Sequence, residues 1–356
     1  MEGEIIRVSY SLIYLWMNKT NKNLLLNPLS IEILSSKKDK ILTFLRIFLS
    51  IIFIAFLILK NLKNFTQIYN SLINVRTAFL FLAVLIYFIS LLAESIQWNI
   101  MLRAQKIKVS QVFLLQSMMI GFFYNNLLPS NIGGDFYRVL DISKNKKTSL
   151  EKNISAVFLE RFFGLISITL YFLVSSFATF KIFGESVIVI SIFLAIAFLL
   201  FSIIIKPGFF KIDRFFSRFK KLSKFEKKFN SFNEILTSYR DKWAYLAGGM
   251  IFNLIAQTLV MVSYYFILLS LDLRISFMSF FLIVPVIFVL TGIPISIGGL
   301  GVRENTFVFL LKKFGVANDL AVAASFLVLF ITIFNALLGG IIYLIKSVFY
   351  KSKSFI

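Results

Sequence analysis

The chain has 356 residues, of which 58% are hydrophobic and 15% charged, with 44 Phe and neither Cys nor His. A soluble domain of this size cannot hide that much apolar surface, so the composition points to a membrane protein. Without Cys or His, the chain has no disulfides, thiolate nucleophiles, iron–sulfur or thiolate–zinc centres, nor the commonest general base and metal ligand.

Apolar runs fall at about 41–59, 77–97, 109–128, 155–180, 186–205, 244–270, 276–293 and 319–345, most of them long enough to cross a bilayer as helices. Residues 1–40 read as a cytoplasmic or interfacial tail with one short apolar patch, Leu12–Trp16. The first run carries Arg46 and follows 40 residues, which is not the pattern of a cleaved signal peptide. Residues 207–243 place apolar side chains at 212, 215, 216, 219, 222, 225, 229, 232 and 235, with Lys and Arg opposite. That pattern predicts a basic amphipathic linker on an anionic membrane surface, and its regular Phe favours lipid over nucleic acid. Residues 349–356 form a short tail. The net charge of +21 is read mainly as topology, and no nucleic-acid partner is expected.

If all eight runs crossed fully, Lys and Arg would divide 22 against 14 between the two sides. If the third and seventh runs turn back as re-entrant hairpins, the division becomes 28 against 8, with both termini cytoplasmic. The fold expected is therefore an all-α polytopic membrane protein of six full spans plus two re-entrant helical hairpins.

The two Pro/Gly stretches after those runs are copies of one another. Residues 129–138 read PSNIGGDFYR and residues 294–303 read PISIGGLGVR, sharing Pro, Ile, both Gly and Arg at an offset of 165. Nine identities in the 29 positions from Pro129 to Val157 argue for internal duplication. With three full crossings in each half, the second repeat (181–348, motif at 291–304) lies inverted relative to the first (41–180, motif at 126–138), as in alternating-access transporters. Pro129, Gly133 and Gly134, and Pro294, Gly298, Gly299 and Gly301, are the expected helix breaks. Helix N-termini just beyond them, with Arg138 and Arg303, make a candidate receptor for a phosphate or other anionic headgroup. The competing reading pairs these arginines with Asp135 and Glu304 or lets them snorkel.

Glu160 and Arg161 lie inside the fourth run, where ionisable groups are costly and face the bundle interior. Glu160 is expected to pair with Arg138 or Arg303, leaving Arg161 for a headgroup, with a purely structural ion network as the alternative. Glu160 is also the candidate for a proton-linked group. Asn126 and Glu304 complete the candidate site. Glu94 and Gln97, and Asn253 with Gln257, either line the cavity or join helix to helix.

The segments NLLPSNIGGDFYR from Asn126, Glu160–Arg161 and PISIGGLGVRE from Pro294 resemble the flippase-like membrane region of lysylphosphatidylglycerol synthases, the multiple peptide resistance factor family, in a stand-alone form. The resemblance covers about residues 40–348 and implies a lipid flippase fold and lipid translocation across the cytoplasmic membrane. Synthase members carry a soluble aminoacyl-transfer domain; with about ten residues after the last span, lysine transfer is not expected here. Relatives connected with polyprenyl-linked glycans and hopanoids leave the lipid open.

The function expected is a lipid flippase moving an anionic phospholipid or polyprenyl phosphate between leaflets of the cytoplasmic membrane. The alternatives are a membrane glycosyltransferase-type enzyme and an accessory partner of lipid-linked glycan assembly. An enzyme fits less well, because the external connection Asn61–Arg76 holds no Asp or Glu. There is no GxxxxGK[ST] phosphate loop, and no cofactor or metal is expected. Membrane lipids are the expected partners, with a second copy of the chain and glycan-assembly or lipid-synthesis enzymes as further candidates.

Overall fold

The computed structural model describes residues 37–127, 133–183, 234–293 and 295–353, together with five positions between 191 and 199. Among the described residues the chain is all helical. The helices are α1 (Lys37–Lys60), α2 (Phe65–Ile73), α3 (Thr77–Ala104), α4 (Gln111–Leu127), α5 (Gly133–Lys146), α6 (Leu150–Phe183), α7 (Trp243–Ser270), α8 (Phe280–Gly292), α9 (Val302–Lys313) and α10 (Asn318–Lys353). α3, α6, α7 and α10 are long and apolar enough to cross a membrane, and α1 with α2, bent by 57° between them, form a fifth candidate. In lipid every backbone polar group must be satisfied within the protein, and uninterrupted helices do this along their whole length.

The duplication read from the motifs extends to whole helices. α3 and α7 each have 28 residues and begin 166 positions apart. Each leads into a broken pair, α4–α5 or α8–α9, and then into a long helix, α6 or α10. α3 and α7 pack along each other in opposite directions. Ser263 Oγ donates to the Ala83 carbonyl at 2.8 Å near one end, while Asn253 Nδ2 donates to Gln97 Oε1 at 3.0 Å further along. Beyond that, a Cβ on Gly249 would come within 2.5 Å of the Met101 methyl. The remaining helices cross over between halves. α10 lies on α4 so closely that a Cβ on Gly339 would meet the Met119 carbonyl at 2.1 Å. α6 lies on α8, where the Tyr171 and Phe281 rings are 5.1 Å apart.

Two ends of the bundle can be told apart. At one end Arg76 N–H donates to the Ser270 carbonyl at 2.9 Å, Arg76 pairs with Asp272 at 2.6 Å, and the Asn318 amide donates to Asn61. At the other, Tyr239 Oη donates to the Met101 carbonyl at 2.9 Å and Gln105 Nε2 to Ser238 at 3.0 Å. Lys242 there lies within electrostatic reach of Lys106 and Lys152, and Lys346 pairs with Asp141 at 2.7 Å.

Several expectations change in detail. The second, fourth and eighth runs continue several residues beyond their predicted limits, to Ala104, Phe183 and Lys353. Residues 61–76, read as a plain connection, instead contain α2, which buries Ile68 and packs on α10. The run at 186–205 (apart from the scattered positions above), residues 207–233 of the amphipathic linker, residues 1–36, Pro129 and Pro294 lie outside the described residues.

Candidate functional site

The turn of the second broken segment meets the end of α4. A Cβ on Gly298 would lie 3.1 Å from the Asn125 carbonyl and 3.2 Å from Asn126 Cα, so the second motif's turn rests on the end of α4. The glycines of the two motifs answer different needs. Gly298, Gly299 and Gly301 have φ of 55°, 75° and 81°, a left-handed backbone that favours glycine. Gly134, in the first turn of α5, has no positive φ and is required by proximity: a Cβ there would sit 1.9 Å from the Gly121 carbonyl.

Local acceptors take N–H groups that the motifs alone offered to an anion. Gly134 N–H donates to Asn125 Oδ1 at 2.8 Å, Gly301 N–H to Glu304 Oε2 at 2.6 Å, and Ile297 N–H to Ser50 Oγ at 2.9 Å. The last bond, with Asn305 Nδ2 donating to the Phe53 carbonyl at 3.0 Å, locks the second motif onto α1. Glu304 is buried and also accepts from Arg303 Nε at 2.8 Å. Asn126 turns its amide back to the Phe122 carbonyl at 2.9 Å.

Most of the charge gathers around the start of α5. Arg138 is 2% exposed and forks onto Glu160, Nη1 to Oε1 at 3.0 Å and Nη2 to Oε2 at 2.6 Å. Its guanidinium lies over the Trp98 ring at 4.1 Å and reaches Asp135 at 3.3 Å. Asp135 in turn accepts from Arg161, Nε to Oδ2 at 2.9 Å and Nη2 to Oδ1 at 2.8 Å. Two bidentate pairs, Arg138–Glu160 and Arg161–Asp135, the strong form of Arg–carboxylate contact, are thus linked through the single Arg138–Asp135 contact. They differ in one respect: the Arg161 side chain keeps 51% of its surface exposed, the Arg138 side chain 3%. Glu160 therefore pairs with Arg138, not Arg303, and Arg161 is the cation with an open side.

The halves are not equivalent in charge. Positions 165 residues beyond Asp135, Glu160 and Arg161 hold Leu300, Ser325 and Phe326. Arg303, 8% exposed, has instead Glu304 beside it, with Tyr264 and Tyr87 in electrostatic range. The candidates named at depth on α3 and α7 divide. Gln97, Asn253 and Ser167 form a chain joining α3, α7 and α6, a helix-to-helix role. Glu94 makes no hydrogen bond or ion pair among the described residues, yet Arg138, Arg161, Asp135 and Glu160 all lie in its electrostatic range. Two residues of the site went unsingled in the sequence, Trp98 under Arg138 and Gly121 against Gly134. The spacing of Trp98 one turn after Glu94 is the signal that could have exposed the first.

No solved structure matches the chain. It is 29% identical over 289 residues to UPF0104 membrane protein PH1989 of Pyrococcus horikoshii, covering 75% of this chain and 86% of that one. It is 28% identical over 230 residues to UPF0104 membrane protein MJ1078 of Methanocaldococcus jannaschii, covering 62% of this chain and 92% of the other. Residues 43–340 match the lysylphosphatidylglycerol synthase TM region, and the chain belongs to that family of membrane proteins.

Proposed function

We propose that this protein carries a lipid with an anionic headgroup, a phospholipid or a polyprenyl phosphate, between the leaflets of the cytoplasmic membrane. Its frame is an inverted repeat in which α4–α5 and α8–α9 are hairpins that return to the side they came from. Lys106 before α4 and Lys152 after α5 both lie near Lys242, which supports a return to one end. Asp272 before α8 and Asn318 after α9 both pair with the connection between α1 and α3 at the opposite end. The antiparallel packing of the equivalent helices α3 and α7 supports inversion. The end holding Lys106, Lys152 and Lys242 is assigned to the cytoplasm by the positive-inside rule.

The observation that carries the reading is Arg161: a half-exposed cationic side chain, inside a spanning helix, in an ion cluster beside the point where the second motif's turn meets the end of α4. Such meeting points near the midplane are where transporters of this architecture place their substrates. An anionic headgroup would exchange with Asp135 on the open side of Arg161, while Arg138 and Arg303 act as positioning residues. Native mass spectrometry of gently extracted protein tests this. Wild type is expected to retain an anionic lipid that Arg161→Gln loses. The same lipids on both proteins would remove Arg161 from the site and favour the partner or enzyme readings.

A further inference from the structure

One face of α3 runs past both motifs. Tyr87, Leu91, Glu94 and Trp98 succeed one another at spacings of four, three and four, which places them on a single helical stripe. At one end of the stripe Tyr87 is buried and lies in electrostatic range of Arg303 and of Glu94. At the other, Trp98 is covered by the Arg138 guanidinium. Glu94 stands between them, roughly 10 Å along the axis from Tyr87 and about 6 Å from Trp98 by helix rise.

Charge accounting separates Glu94 from its neighbours. Arg138 and Arg161 from α5 and α6 balance Asp135 and Glu160 from the same two helices, and all four are held in the bonds given above. Glu94 adds a carboxylate that no further cation neutralises among the described residues. No other packed helix supplies a counter-charge: α4 and α7 contain no Asp, Glu, Lys or Arg, and α10 carries its charged residues, Asp319, Lys346, Lys351 and Lys353, near its ends. Tyr264 of α7 and Arg303 of α9 face Tyr87 on the far side of the stripe. An ionisable side chain left unpaired within a span is costly to keep for structure alone.

We propose that Glu94 is a proton-binding site that takes up a proton when an anionic headgroup occupies the open side of Arg161. The inference rests on the headgroup site proposed above. A headgroup arriving there brings a second uncompensated negative charge into the cluster. Uptake of one proton, converting the Glu94 carboxylate to the carboxylic acid, returns the loaded cluster to its unloaded charge. The lipid then crosses the low-dielectric centre with its charge offset, and a proton gradient gains a hold on the direction of transport. Glu160, forked onto Arg138, is not free for this role.

Isothermal titration of the detergent-solubilised full chain with short-chain phosphatidylglycerol, in buffers of different ionisation enthalpy, reads binding and proton exchange together. Wild type is expected to show a buffer-dependent heat corresponding to uptake of about one proton per lipid, by linkage. Glu94→Gln, which removes no hydrogen bond, is expected to lose that dependence, and Glu94→Asp to restore it. Binding with no buffer dependence in wild type overturns the proton site and leaves the headgroup site standing. A dependence unchanged in Glu94→Gln overturns it too, by placing the proton elsewhere. Absence of any binding heat overturns the headgroup site and this inference with it.

Discussion

Replacing Arg138 by Met tests whether the cluster at α5 is built as described. Arg138 is 2% exposed, and its guanidinium supplies both bonds to Glu160, at 3.0 and 2.6 Å. The single substitution leaves Glu160, itself buried, without its partner, a loss of about 3–5 kcal/mol when half of a buried pair is removed. The double variant Arg138→Met/Glu160→Met removes both charges and leaves apolar side chains of similar length. Apolar replacement of a whole buried pair is often neutral or stabilising, so most of the loss should return. The coupling between the two sites should reach about 2 kcal/mol or more, well above the few tenths expected of independent sites. At roughly 2–4 °C per kcal/mol, Arg138→Met should melt on the order of 10 °C below wild type, with the double variant nearer wild type. Size-exclusion chromatography of detergent-solubilised protein after a temperature series reads this. A single variant as stable as wild type, or a double variant no better than the single, would refute the pairing.

Gly134→Ala should give aggregated or poorly inserted protein, because its Cβ would overlap the Gly121 carbonyl at 1.9 Å, whereas Gly292→Ala meets nothing within 4 Å and should elute normally; equal profiles would contradict the close approach of α4 and α5. Cysteines introduced singly at the exposed positions Lys146 and Lys312, into a chain that has none, should react with an impermeant maleimide from opposite sides of the membrane. Reaction from the same side would sink the inverted arrangement of the hairpins.

How far the sequence carried is best seen at particular residues. Long runs of apolar residues led to α3 and α10 directly, since composition and length alone decide a span. The duplicated motif pointed to a repeat, and identities outside it are buried at both positions: Ala156 and Ala321, Val157 and Val322. The partner of Glu160 was narrowed to two, Arg138 or Arg303, because ionisable groups at depth face the bundle interior in pairs. What the sequence hid depends on three-dimensional proximity. Nothing in Gly134 shows that Gly121 lies against it, whereas the pairing of Arg303 with Glu304 was the competing reading of the sequence. α2 was missed because nine residues of moderate hydropathy between two long runs read as a loop until α10 offers them a surface. Glu94 was legible as a candidate, but its lack of a partner only emerges once every other charge in the cluster has found one.

Transport itself is most directly tested by exchange of fluorescent phosphatidylglycerol between leaflets of protein-containing vesicles, read by an impermeant quencher. Wild-type protein should raise the accessible fraction well beyond protein-free vesicles. Arg161→Gln should slow the exchange by roughly 10- to 100-fold, corresponding to loss of one hydrogen-bonded charge contact. Because Arg161 is half exposed, that variant should stay folded. Exchange no faster than in protein-free vesicles, or equally fast with Arg161→Gln, would contradict a headgroup path past the point where the second motif's turn meets the end of α4.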